Sequence, residues 1–231
     1  MKALVPFDTA AAVADAERDA LRMADIVRTM LRRLRGLFEA DDRKAIDAIK
    51  ELDDQLDTLS ERIERCLGML MGTKQPKREI RRCTALLEFA GYVEHVADVV
   101  SRLLVKGASR QIQHGIRVSP GARASLEELL LLLQSHLQLC AVGFMHAGPG
   151  ALRYLSKQRD ALRRVERDIA REHFRQETAI QAGARPKSAP FTFALRCLRL
   201  INDRLAVLPG LSTRGWRPRL PDGISRGPRT I

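Results

Sequence analysis

Between Lys77 and Ser119 the chain has no proline, and residues 86–104 inside that window carry two apolar stripes at helical spacing. Leu86, Phe89, Val93, Val96, Val100 and Leu103 alternate steps of three and four. Ile80, Cys83, Leu87, Ala90, Glu94, Ala97, Ser101 and Leu104 do the same on a second side. A helix that is apolar on two sides must be covered on two sides, which places it at the centre of a bundle. The middle of the second stripe is small and acidic: Gly91, Glu94, Ala97, Asp98, Ser101. Glu94 and Asp98 are four residues apart, so both carboxylates project from one face. Their neighbours there are small enough to let another group come close.

The segments around this helix supply its cover. Thr9 can cap a first helix to about Phe38, with Val13, Ala16, Ala20, Met23, Val27, Met30, Leu31 and Leu34 facing inward. Asp41-Asp42 can cap a second, in which Ala45, Ile49, Leu52, Leu56, Leu59, Ile63, Cys66 and Leu70 alternate four and three. Gly72 to Pro76 ends it. Connections this short make neighbouring helices antiparallel, and the result is a three-helix unit over 9–107. Gly107 to Gly121 reads as the connection to a second unit, 118–208. Its helices start at Ser119-Pro120, run from Ala151 to about Thr178 after the break at Gly148-Pro149-Gly150, and close with Phe191 to Leu208. Residues 209–231 lose the periodicity and are rich in Gly, Pro and Arg, which predicts a disordered basic tail.

The two units read as copies. An offset of 106 lays Ile49 on Leu155, Leu56 on Leu162 and Ile63 on Ile169, and an offset of 105 lays Val96-Ala97-Asp98 on Ile201-Asn202-Asp203. The acids are not copied. Arg159 and Arg163 stand where the first unit has Asp53 and Asp57, and Arg199 stands where it has Glu94; only Asp203 keeps the carboxylate of Asp98.

Low aromatic content, 4% against 45% apolar residues, agrees with an all-α chain. No apolar run reaches the roughly 20 residues of a membrane span, and the opening Met1 to Pro6 is too brief for a secretory signal. The expected location is cytoplasmic, or peripheral at the inner face of the membrane. Cys66, Cys83, Cys140 and Cys197 lie far apart on apolar stripes and read as buried free thiols. The net charge of +12 suits an anionic partner.

Val93-Glu94-His95-Val96-Ala97-Asp98-Val99-Val100 resembles the signature of PhoU-type domains, an apolar residue followed by Glu-Arg-Ile-Gly-Asp and further apolar residues, and departs from it at His95 and Ala97. Residues 16–25, Arg171 to Phe174 and Leu198 to Asp203 are similar to parts of the cytosolic PhoU-like domain of bacterial sodium/phosphate cotransporters. The resemblance runs from about Ala10 to Leu208 and implies two three-helix units in tandem, a six-helix bundle. The membrane half of such transporters has no counterpart in these residues. The implied role is therefore a cytosolic accessory or regulator of phosphate uptake, stand-alone or a separately encoded tail. It would dock to a membrane phosphate transporter or an associated signalling protein.

No catalytic constellation is present: there is no Gly-rich phosphate loop, no Gly-x-Ser-x-Gly and no His-Glu-x-x-His, so no enzymatic activity is expected. The carboxylates are the one lead. Across an antiparallel pair, Asp53 and Asp57 can face Glu94 and Asp98, and four converging carboxylates suit one divalent or ferric ion. The resemblance implies the same role, since PhoU-type domains hold metal ions on acidic pairs. The plainer account makes Asp53 and Asp57 solvated edge residues and pairs Glu94 with an arginine. A basic nucleic-acid-binding or general interaction module is the competing functional class, but base-stacking aromatics are scarce, so nucleic acid is not the favoured partner. Contact of the tail, through Trp216 and its arginines, with a membrane surface and assembly as a homodimer are both compatible with the sequence.

Overall fold

The computed structural model describes residues 9–40, 43–113, 119–145, 149–180 and 189–208. Six helical rods follow one another: α1 (Thr9–Ala40), α2 (Arg43–Met71), a third rod, α5 (Pro120–Met145), α6 (Pro149–Ile180) and α7 (Ala189–Leu205). The third rod is α3 (Lys77–Asp98), a π-helical segment (Val99–Leu104) and α4 (Val105–Gln113) without a break. Among the described residues there is no β-strand, as the periodicity requires. Asp41, Asp42 and the 209–231 tail lie outside the described residues.

Two boundaries differ from the sequence reading. The third rod continues beyond Gly107 to Gln113, because that glycine is a packing site and not the start of a connection. A Cβ there would lie 2.6 Å from the Phe193 ring, so only glycine lets α7 come this close. Helix α6 also begins earlier, at Pro149, where proline suits a first helical turn.

The contacts show how each unit is wound. In the first, Arg62 pairs with Asp19 and Cys66 Sγ points at the Ala12 carbonyl, so α1 and α2 are antiparallel. Arg82 pairs with Glu17, 65 positions away, which makes α1 and α3 parallel neighbours. Cys140 and Leu205 meet across α5 and α7 of the second unit at that same separation of 65. The two units are thus built on one register, and an offset near 105 also relates α1 to α5.

One continuous core serves both units. Phe89 on α3 and Phe144 on α5 are fully buried, and their rings stack at 4.4 Å and 23°. Around them lie Met23, Met30, Leu34, Leu86, Val93, Leu130 and Leu133. Helix α5 is long and apolar enough to cross a membrane by length and composition, yet half of its most apolar window is buried in this bundle. Cys83, Cys140 and Cys197 are buried and Cys66 half-buried, all four as free thiols.

Candidate functional site: a charged groove in each unit

Helices α2 and α3 run antiparallel with a groove along their seam. The pairing that fixes its register is the Ser60 hydroxyl, which donates to Glu94 Oε2 at 2.7 Å. From that point two turns of α2 lead to Asp57 and Asp53, while α3 leads to Asp98 and then into the π-helical segment. Helical periodicity keeps i and i+4 on one side, so the four acids share the groove. Arg102, one turn past Asp98, forms an ion pair with it at 2.9 Å.

Electrostatics confirm the clustering. Burial pushes the Asp53 carboxyl up; Ser101 opposes this, while Asp57 and Asp98 push it further. Burial is also the leading cause for Asp57, followed by Glu94 and Asp98, with Arg102 pulling the other way. Asp53 thus lies within reach of the charge of Asp98, and Asp57 within reach of Glu94 and Asp98, with the Arg102 guanidinium beside both. Ser101 is held inward by the π-helical turn; its hydroxyl is sealed from solvent and has no hydrogen-bond partner of normal geometry. It lies near enough to Asp53 to act on its proton affinity all the same. Such π turns interrupt helices mostly at functional positions.

The residues suit a cation by charge and donor type. Closure is another matter: among the described residues no three His, Cys, Asp or Glu side chains converge tightly enough to hold a metal ion. Glu94 is half-buried and hydrogen-bonded to a serine, so the plainer expectation of an arginine partner for it is not met either.

The second unit carries the same groove with the opposite chemistry. Arg163 takes the place of Asp57 and pairs with Asp203, the equivalent of Asp98, at 2.9 Å. Glu166 takes the place of Ser60 and faces Arg199, the equivalent of Glu94, at 3.6 Å. Arg159, standing for Asp53, pairs with Asp160 at 3.0 Å. The Ser60–Glu94 contact of the first groove has its counterpart in Glu166–Arg199 of the second, on the offsets of 106 and 105. Where the first leaves acids facing acids, the second faces each acid with a guanidinium, which donates and cannot ligate a cation.

Beneath the second groove two polar residues replace apolar ones, and sequence reasoning missed both. His136 stands at the repeat position of Leu31, and Asn202 at that of Ala97. Both are buried, and neither the ring nitrogens of His136 nor the amide of Asn202 has a hydrogen-bond partner among the described residues. Burial, with Arg159 adding to it, lowers the His136 pKa to about 4. A signal was present: Leu129, Leu133, His136 and Cys140 are spaced four, three and four.

Comparison with known proteins gives this geometry its context. The PhoU domain pattern matches residues 20–104, which run from α1 through the acidic groove to the last residue of the π-helical segment. Over that stretch the chain is similar to the PhoU domain. Its fold is PhoU-like well beyond that match. PhoU from Pseudomonas aeruginosa superimposes with a TM-score of 0.76 at 17% identity, covering 87% of this chain and 95% of that one. The phosphate transport system regulatory protein PhoU from Streptococcus pneumoniae gives 0.75 at 13% identity, covering 90% and 96%. In sequence, the chain is 24% identical over 162 residues to "Putative inorganic phosphate export protein YjbB" of Salmonella typhimurium. It is 23% identical over the same length to the protein of that name in Escherichia coli K12. These alignments cover 70% of the chain but only 30% of those relatives.

The PhoU match ends where the repeat symmetry fails chemically: it takes in the acidic groove and leaves out the arginine-lined one. Its departures from the signature are accounted for by position. His95 is exposed, its Nδ1 2.6 Å from the Gly91 carbonyl one turn back; Ala97 is buried.

Proposed function

We propose that this chain is an accessory or regulatory module of phosphate transport that works by docking to a membrane phosphate transporter or its signalling partner. The observation that carries the reading is the PhoU-like fold across most of the chain, with the acidic groove inside the part that matches the PhoU domain. Its partial alignment to YjbB, and the resemblance to the cytosolic domain of sodium/phosphate cotransporters, support a place at the cytoplasmic face of a transporter. The competing reading, a basic nucleic-acid surface, loses ground on α6, where Arg163, Arg171 and Arg175 are engaged by Asp203, Asp168 and Glu172. Membranes containing a phosphate transporter should retain the purified chain and show altered phosphate flux in its presence. Failure to co-sediment under both phosphate-rich and phosphate-poor conditions would overturn this reading.

The acidic groove is the element we assign to cation binding in that role, with Asp53, Asp57, Glu94 and Asp98 as the residues that would hold one divalent or ferric ion. A bound cation would offset the burial, and after it the repulsion from neighbouring carboxylates, that raise Asp53 and Asp57. Metal analysis of protein purified without chelator should give at most one ion per chain. Glu94→Gln should abolish it, and Asp203→Asn, in the arginine-lined groove, should leave it unchanged. Equal dependence on Asp203 would show that the two grooves had been assigned the wrong roles.

A further inference from the structure

Where the two units meet, α1 and α5 leave an open groove of about 370 Å³ lined by Arg28, Arg32, Leu131, Gln134, Ser135 and Gln138. We infer that this groove binds a tetrahedral phosphoryl oxyanion, either free phosphate or the phosphodiester of a lipid headgroup.

The lining is two guanidinium groups, three neutral polar side chains and a single leucine, with no carboxylate. Arg28 spans the seam: one terminal nitrogen donates to Gln138 Oε1 at 3.2 Å, and the other pairs with the exposed Asp25 at 3.0 Å. Its Nε–H is sealed from solvent with no acceptor. Gln138 accepts through its oxygen, so its amide NH₂ remains a donor. Arg32, one turn along α1 on the same side, is exposed and among the described residues reaches only the Thr29 hydroxyl, at 3.3 Å. Excess donors, a surplus of two positive charges in the lining and almost no apolar wall describe a receptor for a small hydrated anion.

A larger groove on the same helix shows what is special here. It is lined by Asp15, Arg18, Asp19, Arg22, Arg62 and Cys66 among others, with a volume of about 600 Å³. Its lining holds two carboxylates, each engaged by an arginine: Arg18 pairs with Asp15, and Arg62 with Asp19. An anion there would have to displace carboxylates. At the seam the lining itself holds no carboxylate, the exposed Asp25 on Arg28 lies outside it, and an anion would bridge helices from both units.

The site stands on its own geometry, so it can hold when docking to a transporter fails, and the reverse. The test is calorimetric titration of the full chain with sodium phosphate at low salt, alongside flotation with phosphatidylcholine vesicles with and without phosphatidylglycerol. Saturable single-site phosphate binding is expected. It should weaken at least about tenfold in the Arg28→Gln, Arg32→Gln double variant. Gln138→Glu, which adds a carboxylate to the lining and removes no arginine, should do the same. Arg18→Gln should change nothing. Binding to anionic vesicles alone, with that variant pattern, would identify the lipid headgroup as the source of the anion. Binding by neither probe, or binding that ignores all three seam substitutions, overturns the inference.

Discussion

Phe89→Ala is expected to lower the melting temperature by roughly 6 to 20 °C. Phe89 is fully exposed to neither solvent nor any void: it is 0% accessible and stacks on Phe144. Deleting a buried phenylalanine removes its transfer free energy and leaves a cavity, together about 3–5 kcal/mol, and a chain of this size moves about 2–4 °C per kcal/mol. The neighbours cannot close the gap by small shifts, because the rings come from α3 of one unit and α5 of the other. Phe144→Ala should cost about the same, and the double variant less than the sum of the two, since the stack itself is worth about 0.5–1.5 kcal/mol. Calorimetric or circular-dichroism melts decide it. A loss below about 1 kcal/mol for either single variant would mean that the units are not joined through this stack.

Acid should destabilise the protein through His136, by about 3 kcal/mol between pH 6.5 and 4. In the unfolded chain the ring protonates near 6.5; in the fold its pKa lies at about 4, because burial and the Arg159 guanidinium disfavour the imidazolium. The folded form therefore lags in taking up a proton as pH falls through this window. Stability is full above the unfolded pKa and is lost progressively down to the folded one. Asp53, Asp57, Glu17 and Glu166 act in the opposite sense. Their folded pKa values are raised, mainly by burial, so their protonation in acid favours the fold. The comparison with His136→Leu isolates the histidine, and leucine is the residue the other copy places there, fully buried. Urea titrations from pH 7.5 to 4 should show a shallower acid loss in the variant, together with higher stability at pH 7.5, where four unpaired polar atoms beneath the groove become two. Parallel pH profiles for parent and variant would rule out a neutral, buried His136.

What the sequence made legible was the periodic part. The stripes from Val13 to Leu34 and from Ile49 to Leu70 became α1 and α2 because the inward positions are apolar apart from Asp19 and Ser60, and nothing competes with the 3.6-residue repeat. The duplication, found by laying Ala97-Asp98 on Asn202-Asp203, put Arg163 at the Asp57 position and Asp203 at the Asp98 position, and the fold pairs the two. Features that depend on what faces a residue across the bundle were harder to read. His136 looked like a polar interruption of an apolar run, although its spacing from Leu133 and Cys140 put it on the buried side. Gly107 looked like a helix end, because glycine is a weak helix former; the Phe193 ring against it is set by α7, some 80 residues on. The π-helical turn has no composition signal at all, and with it the inward placement of Ser101 was beyond reach. The Ser60 bond to Glu94 was not foreseen, as serine carries no charge to point to a partner.

The shared core has a consequence for how the chain comes to be made. Phe89 leaves the ribosome well before Phe144, and at about 5–20 residues per second the first three-helix unit waits several seconds for the helix that covers α3. During that wait its inter-unit face, Phe89 included, lies open to water, although the contacts within the unit are complete. A nascent chain of this design offers chaperones a defined apolar surface for a defined interval. Because Phe89 and Phe144 share one core, that surface is covered only once α5 has been made.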